Sequence, residues 1–375
     1  MNFELTEEQN LYRDTVSNFF SDRYSIQNRA RYLEHGRGYD LANWNELAEL
    51  GVLALPFSTD LGGLGGTTKE VAILQECIGY HLAVEPFAEN IAIPAIALDC
   101  FEDRNLARSL AEGMISGSKT IAVAVTEKRK DQAPETGQCR AKLSGERVTL
   151  TGGKQFVTYP SVDLLLVSAA LDDAGDQPGS VLLLVPANTP GVAINHYRLV
   201  DGTPAADIEF ENVVMPASTI VVTKSGVAHA IESMNRMGAH AAVVECLGIL
   251  RRMFELTTEY MNTRVQFGKA LAANQVVRHR LAEMLMHYEL AQSVVAGISL
   301  YGTETVQAIR QLSAAKVTMA DAFEFIGKQS IQLHGGIGLT DEYELSHHYK
   351  RALVLQDSYG SKRSHSLKLA QLEVT

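Results

Sequence analysis

The chain is poor in several features that would assign a class early. Only four of its 375 residues are cysteine, Cys77, Cys100, Cys139 and Cys246, and no two form a CxxC pair. Such scatter suits neither a zinc site nor a disulfide framework and predicts a reducing compartment. Of the 11 histidines, only His347–His348, with His334 and His365, come near one another, and no HExxH spacing occurs. The His347–His348 pair reads as surface or interface, and no metal is expected. Basic charge is scarce: the net charge of −11 argues against a broad basic face for nucleic acid. No apolar run reaches the ~18–20 residues of a membrane span, so no membrane partner is expected. The opening MNFELTEEQNLYRD lacks a basic stretch followed by an apolar one. No secretory leader is expected, and the cytoplasm is the expected location.

What remains is ordinary globular composition, 46% hydrophobic and 21% charged. At roughly 100–200 residues per domain the length allows two or three domains. Three textures follow one another. From Phe3 to about Gly117 the pattern is helical: Thr6 and Gln9 have capping-box spacing, and VAILQECIGYHLA and NIAIPAIALDCF read as buried helices. Between the helical runs, DLGGLGGTT (Asp60–Thr68) reads as a turn-rich connector, without the GxGxxG spacing of a dinucleotide loop. From Lys119 to about Ser225 six short runs rich in Val, Ile, Leu and Thr alternate with turn residues, the mark of a small barrel or sandwich. From Val227 onward four long helices are expected, near 227–262, 271–301, 303–333 and 341–370, forming a bundle. The predicted class is α+β, mostly α. Its domains are an all-α domain at 1–117, a β-barrel or sandwich domain at 118–225 and a C-terminal four-helix bundle at 226–375.

Two stretches are far more specific than texture. YMNTRVQFGKALAANQVVRHRLAEM (Tyr260–Met284) fits Y-x-x-x-R-x-Q-F-G-x-x-[LI]-x-x-x-Q nearly throughout, and IQLHGGIGLTDEYELSHHYKRA (Ile331–Ala352) fits Q-x-x-G-G-x-G-x-[TS]-x-E. LTEEQ near the start, ELGVLALPFSTDLGGLGG, the VTE at Val125–Glu127 and LTGGKQFVT ending at Thr158 fit as well. With the helix–β–helix order, these resemble the acyl-CoA dehydrogenase family of flavoproteins along the whole chain. Within it the pattern is similar to the pimeloyl-CoA dehydrogenase small-subunit branch and to bacterial enzymes acting on dicarboxylic, alicyclic and steroid side-chain CoA thioesters.

The resemblance implies FAD as cofactor and an acyl-CoA as substrate. The implied reaction is α,β-dehydrogenation: a base takes a Cα proton, hydride passes from Cβ to flavin N5, and electrons go to an electron-transfer flavoprotein. It implies flavin roles for Arg264 at the pyrophosphate, Phe267 packed on the cofactor, Gln275, and Gln332, Gly335 and Gly336 at the adenine end of a neighbour's FAD. A guanidinium fork matches phosphate oxygens, and an amide can both donate and accept. The plainer alternatives are an intrahelical Arg264–Glu259 pair, a core Phe267 and a simple helix–helix turn at the glycines. Thr126, Thr158 and Phe156 stand at family positions near the flavin ring, with β-propensity alone as the plainer reading. The usual P-x-A-G-S-D loop is replaced by KRKDQAPE, Lys128–Glu135.

The base is missing from both places where the family keeps it. One position is Tyr359, before Gly360; the other is taken to be Gly238, on the helix that opens the last domain. Glu245 interrupts the apolar AHAAVVECLGIL and is a candidate base, since burial makes a carboxylate a better proton acceptor. It can equally be a structural acid paired with Arg251, Arg252 or a cation of another helix, or a residue lining the pocket. Asp357 is the fallback base. Three functions remain open: a working dehydrogenase in a homo-tetramer, a partner subunit with a degenerate site in an α2β2 hetero-tetramer, and an acyl-CoA-binding protein without redox activity.

Overall fold

The computed structural model describes residues 5–127, 139–172, 179–223, 225–301 and 305–374. In chain order the helices are α1 (Glu7–Arg23), α2 (Ile26–Glu34), α3 (Leu41–Glu49), α4 (Thr68–His81), α5 (Ile93–Asp99) and α6 (Arg104–Ile115). Eight strands follow: β1 (Ile121–Ala124), β2 (Arg140–Ser144), β3 (Arg147–Thr158), β4 (Leu164–Asp172), β5 (Gly179–Pro186), β6 (Val192–Arg198), β7 (Pro204–Pro216) and β8 (Ile220–Thr223). Then come α7 (Ser225–Thr263), a hairpin of β9 (Val265–Gln266) and β10 (Lys269–Ala270), α8 (Gln275–Tyr301), α9 (Val306–His334), α10 (Glu344–Asp357) and α11 (Lys362–Val374). The order is helical, β, helical. No helix among the described residues is long and apolar enough to cross a membrane.

Residue contacts divide the chain into two compact units that do not follow chain order. One comprises Met1–Arg31, Thr67–Val84 and Gly238–Thr375; the other comprises Tyr32–Gly66 and Glu85–Met237.

The first unit is helical. The capping box at α1 is made: Gln9 N–H donates to Thr6 Oγ1 at 3.1 Å, and Thr6 N–H donates to Gln9 Oε1 at 3.0 Å. Its core gathers Val243, Leu247, Ile249, Leu250 and Met253 of α7 with Met284 and Tyr288 of α8, Phe323 and Ile326 of α9, and Leu345, Ala352 and Leu355 of α10. Gly79 of α4 lies so close to α7 that an added Cβ would stand 2.8 Å from the carbonyl carbon of Glu245. Gly248 meets α4 in the same way, with its Cβ position 2.8 Å from Tyr80 N. Only glycine permits this backbone approach. The single helix expected over 341–370 is two helices. Between α10 and α11, Tyr359 (φ 56°) and Gly360 (φ 111°) take left-handed conformations that no helix contains.

The second unit is built on one mixed eight-stranded sheet in the order β6-β7-β3-β2-β4-β5-β8, with β1 pairing parallel to β4. The six runs recognised in the sequence fall on β1, β3, β4, β5, β6 and β7. Leu150, Leu165, Val167, Leu183, Ile208 and Phe210 form the centre of its core. In the helices before the sheet Trp44 is fully buried, and its indole N–H donates to the Gly117 carbonyl at 3.2 Å.

Candidate functional site

In the sheet unit, the register between β3 and β7 shifts between Lys154 and Val157, and the bulge lifts Phe156 out at φ 60°, half exposed. Asp207 of β7 holds the bulge: it accepts from Phe156 N–H, Gln155 Nε2 and Tyr197 OH, each at 3.2 Å. Gln155 N–H donates to the Thr126 carbonyl at 2.9 Å, which sets the exposed Thr126 beside the bulge. Thr158 is half-buried opposite Ala205. Under this edge the buried Lys154 ammonium pairs with Glu127 and donates to Ser168 Oγ at 2.9 Å, tying the residue after Thr126 to the core of β3. Thr126 and Phe156 therefore share one exposed edge, with Thr158 two residues beyond the bulge. The replaced loop Lys128–Glu135 lies outside the described residues.

In the helical unit, Arg264 follows the end of α7, and Leu271 N–H donates to its carbonyl at 3.0 Å. The β9–β10 hairpin has Phe267 (φ 54°) and Gly268 (φ 79°) at its tip, the two positive φ values of a type I′ turn. A phenylalanine there is costly, and this one is 99% exposed. Tyr260 stacks on His334 with ring centroids 4.6 Å apart, and so binds this end of α7 to the end of α9, where Gln332, Gly335 and Gly336 are exposed. His334 in turn shares a 3.2 Å hydrogen bond with Tyr343 OH. Arg280 near the start of α8 donates to Gln329 of α9 at 2.9 Å, which ties the Gln275 end of α8 to α9 one turn before Gln332. Neither the Arg264 guanidinium nor the amides of Gln275 and Gln332 have a partner among the described residues.

FAD fits this end of the helical unit. A cation and two amides stand without partners among the described residues. An exposed aromatic sits at a strained turn, and a Cβ added to Gly335 or Gly336 would meet nothing within 4 Å. These are the donors, stacking surface and open backbone that a dinucleotide needs. Strain points the same way. Three of the six non-glycine residues with positive φ among the described residues are Phe156, Phe267 and Tyr359, all at candidate positions.

The positions linked to the base meet each other. A Cβ built on Gly238 would stand 2.5 Å from Cδ1 and Cζ of Tyr359, so the phenol ring lies directly on the α7 backbone. No carboxylate occupies either position. Glu245 is buried on α7 and forms a bidentate pair with Arg351 of α10, Nε to Oε1 at 2.5 Å and Nη2 to Oε2 at 3.0 Å. Asp357 is exposed at the last residue of α10. His347 is only half-buried, but His348 is not a surface residue. It is 1% exposed, with its ring nitrogens at the carbonyls of Glu344 (3.0 Å) and Tyr80 (3.2 Å). The spacing Leu345, His348, Ala352, Leu355 is the buried stripe of α10 and signals it. No three His, Cys, Asp or Glu side chains gather as a metal site among the described residues.

Three residues that organise these features are not among the sequence candidates: Lys154, Asp207 and Arg351. Asp207, between Ala206 and Ile208, carries the same signal that marks Glu245, a charge flanked by apolar neighbours; Lys154, between Gly153 and Gln155, and Arg351, after Lys350, carry no such signal.

Comparison with known proteins agrees with the motifs. Residues 6–99 match the acyl-CoA dehydrogenase N-terminal domain and residues 224–371 the acyl-CoA dehydrogenase C-terminal domain. The chain is 24% identical to the probable acyl-CoA dehydrogenase YngJ of Bacillus subtilis over 99% of both chains. It superposes on a chain of the ChsE4-ChsE5 complex from Mycobacterium tuberculosis with a TM-score of 0.87 at 22% identity, covering 99% of this chain and 98% of that one. Against butyryl-CoA dehydrogenase from Megasphaera elsdenii the TM-score is 0.88 at 21% identity, covering 100% of both. Motifs, element order and domain matches converge: this chain belongs to the acyl-CoA dehydrogenase family, whose cofactor is FAD.

Proposed function

We propose that this chain is the subunit without a base in a two-chain α2β2 acyl-CoA dehydrogenase. The assembly performs FAD-dependent α,β-dehydrogenation of an acyl-CoA thioester and passes electrons to an electron-transfer flavoprotein. This chain helps hold the flavin, and the partner chain supplies the carboxylate. The observation that carries the reading is the contact of Tyr359 with Gly238. A phenol, with an ordinary pKa of ~10, is a poor proton acceptor at neutral pH, and a glycine offers none. The likeness to a chain of the ChsE4-ChsE5 complex, a two-component assembly by its name, supports it.

Bound FAD supplies the hydride acceptor. The protein's own work is placement. Arg264 offers its guanidinium fork to the pyrophosphate, and Gln275 and Gln332 offer amides to the adenine end. Gly335, left-handed at φ 66°, and Gly336 keep the backbone open for close approach. Phe267 gives a flat apolar surface whose exposure ends when cofactor or partner covers it. In the sheet unit, Thr126, Phe156 and Thr158 present a hydroxyl-bearing, aromatic edge suited to the flavin ring, kept in register by Asp207 and Lys154.

A second reading makes the chain a self-sufficient homo-tetramer with Glu245 as base. It is favoured by the burial of that carboxylate on the helix of Gly238, seven residues on. It requires Glu245 to leave a bidentate guanidinium before it can reach a substrate. Flavin content separates the readings. The chain purified alone should carry well under one FAD per chain and gain flavin on co-expression with a second acyl-CoA dehydrogenase-like chain. One FAD per chain in the isolated protein would overturn the two-chain reading. No flavin in either preparation would leave an acyl-CoA-binding protein.

A further inference from the structure

The turn that carries Tyr359 hangs on a buried ammonium. α10 ends at Asp357, and the last carbonyls of a helix have no partner within it. Here the carbonyls of Leu355, Gln356 and Ser358 converge on Lys316 Nζ at 3.1, 3.2 and 2.8 Å. Lys316 rises from the middle of α9, is 4% exposed, and makes no ion pair among the described residues. An ammonium has three N–H donors, one for each of these carbonyls. The next carbonyl, that of Tyr359, lies 3.2 Å from His365 Nε2, and His365 Nδ1 lies 3.2 Å from Ser313 Oγ, one turn before Lys316 on α9. The tautomer with hydrogen on Nε2 satisfies both contacts. Four carbonyls leading into a left-handed residue are thus held from α9 and α11.

We propose that Lys316 is the positioning residue of the Tyr359 turn: its ammonium, with His365, fixes the turn so that the phenol ring rests on Gly238. This rests on the contact and the carbonyl cage, and it stands whether or not the chain works as a partner subunit. A cation suits the place because a helix C-terminus concentrates partial negative charge. Burial pushes Lys316 down to about 8. Cys246 of α7 and Asp357 of α10 favour its charged form, and His365 of α11 faces it with a ring whose protonation Lys316 disfavours. The ammonium form still predominates at neutral pH. Beside it, between α7, α9 and α10, runs a narrow cavity lined by Ala242, Cys246, Met319, Phe323 and Leu355, which leaves room for a small cation if the lysine stem is removed.

The test places 4-fluorophenylalanine at position 359 of the full chain and follows its fluorine resonance, with the same probe at Tyr349 of α10 as control. Lys316→Met should move or split the 359 resonance and leave the 349 resonance in place. Lys316→Ala should behave likewise, and methylammonium should return at least half of the signal to its original position. Tetramethylammonium, which has no N–H, should not. Should these variants fail to fold, the unsubstituted Lys316 protein decides: the 359 resonance should shift between pH 7 and 9.5 with a midpoint near 8, and the 349 resonance should not. A 359 resonance indifferent to pH over that range, or unchanged in a folded Lys316→Met protein, would overturn the assignment.

Discussion

The ring of Tyr359 lies on the α-carbon of Gly238, so close that a Cβ at 238 would fall within 2.5 Å of three ring atoms. The two residues are therefore coupled. Gly238→Ala alone forces the ring or the turn to shift, at a cost of about 1–3 kcal/mol for overpacking. In a Tyr359→Ala background the same change should stabilise by roughly 1 kcal/mol, because alanine is the better helix former. Chemical denaturation of the four proteins of this cycle checks the sign reversal. Additive effects would show that the contact is absent in solution.

Glu245 and Arg351 form a buried, bidentate pair. Glu245→Gln keeps the shape, removes the counter-charge, and should cost about 3–5 kcal/mol, the range for breaking a buried pair. Replacing both partners together, Glu245→Leu with Arg351→Met, should recover most of that loss. Activity per folded, flavin-loaded complex should change little. A Glu245→Gln complex with full stability and no turnover would return Glu245 to the role of base.

Arg264 has no ion-pair partner among the described residues, and its proposed partner is the flavin pyrophosphate. A hydrogen bond to a charged group contributes about 1.5–3 kcal/mol, so Arg264→Ala should weaken FAD retention by roughly 10- to 150-fold at unchanged melting temperature of the flavin-free protein. Equilibrium titration of the flavin-free complex with FAD measures it. A fully flavinated Arg264→Ala complex that keeps its flavin on dilution would remove Arg264 from the site.

Acid should loosen the helical unit before its carboxylates are protonated. Burial holds His240 and His348 down at about 4, against 6.5 for a free imidazole. The unfolded chain therefore binds more protons than the native one between those values. The stability these groups contribute is complete above pH 6.5 and is lost as pH falls through 4, by up to about 3 kcal/mol each. Melting temperature should fall over this window, and His348→Gln should flatten the slope. An equally steep slope in that variant would refute the assignment.

Much of this architecture was legible because it is periodic. Long helical stripes and apolar strand runs stand out in the sequence, and the flavin-facing motifs carry their own spacing. Local chemistry without a strong pattern did not stand out. β2 (RAKLS) has one fully buried residue and β8 (IVVT) is four residues long, too short to show a period. The last helix was read through Ser358–Ser361 because nothing in SYGS forbids a helix as firmly as proline does. The carbonyls at its break are held by Lys316, 42 residues before Ser358, and by His365, six residues after Tyr359. The partner of Glu245 lies 106 residues away, and charge type alone could not choose among the candidate cations. Which carboxylate, if any, faces substrate is a property of helix crossing rather than of spacing.

The central claim is that no residue of this chain serves as base where Tyr359 meets Gly238. Anaerobic mixing of the chain alone, reconstituted with FAD, against a panel of straight-chain, dicarboxylic, alicyclic and steroid side-chain CoA thioesters tests it directly. Flavin absorbance near 450 nm is followed by stopped flow, a wavelength region set by the oxidised flavin itself. The account predicts no bleaching with any thioester by the chain alone and rapid bleaching once the partner chain is present. Rapid bleaching by the chain alone would contradict it.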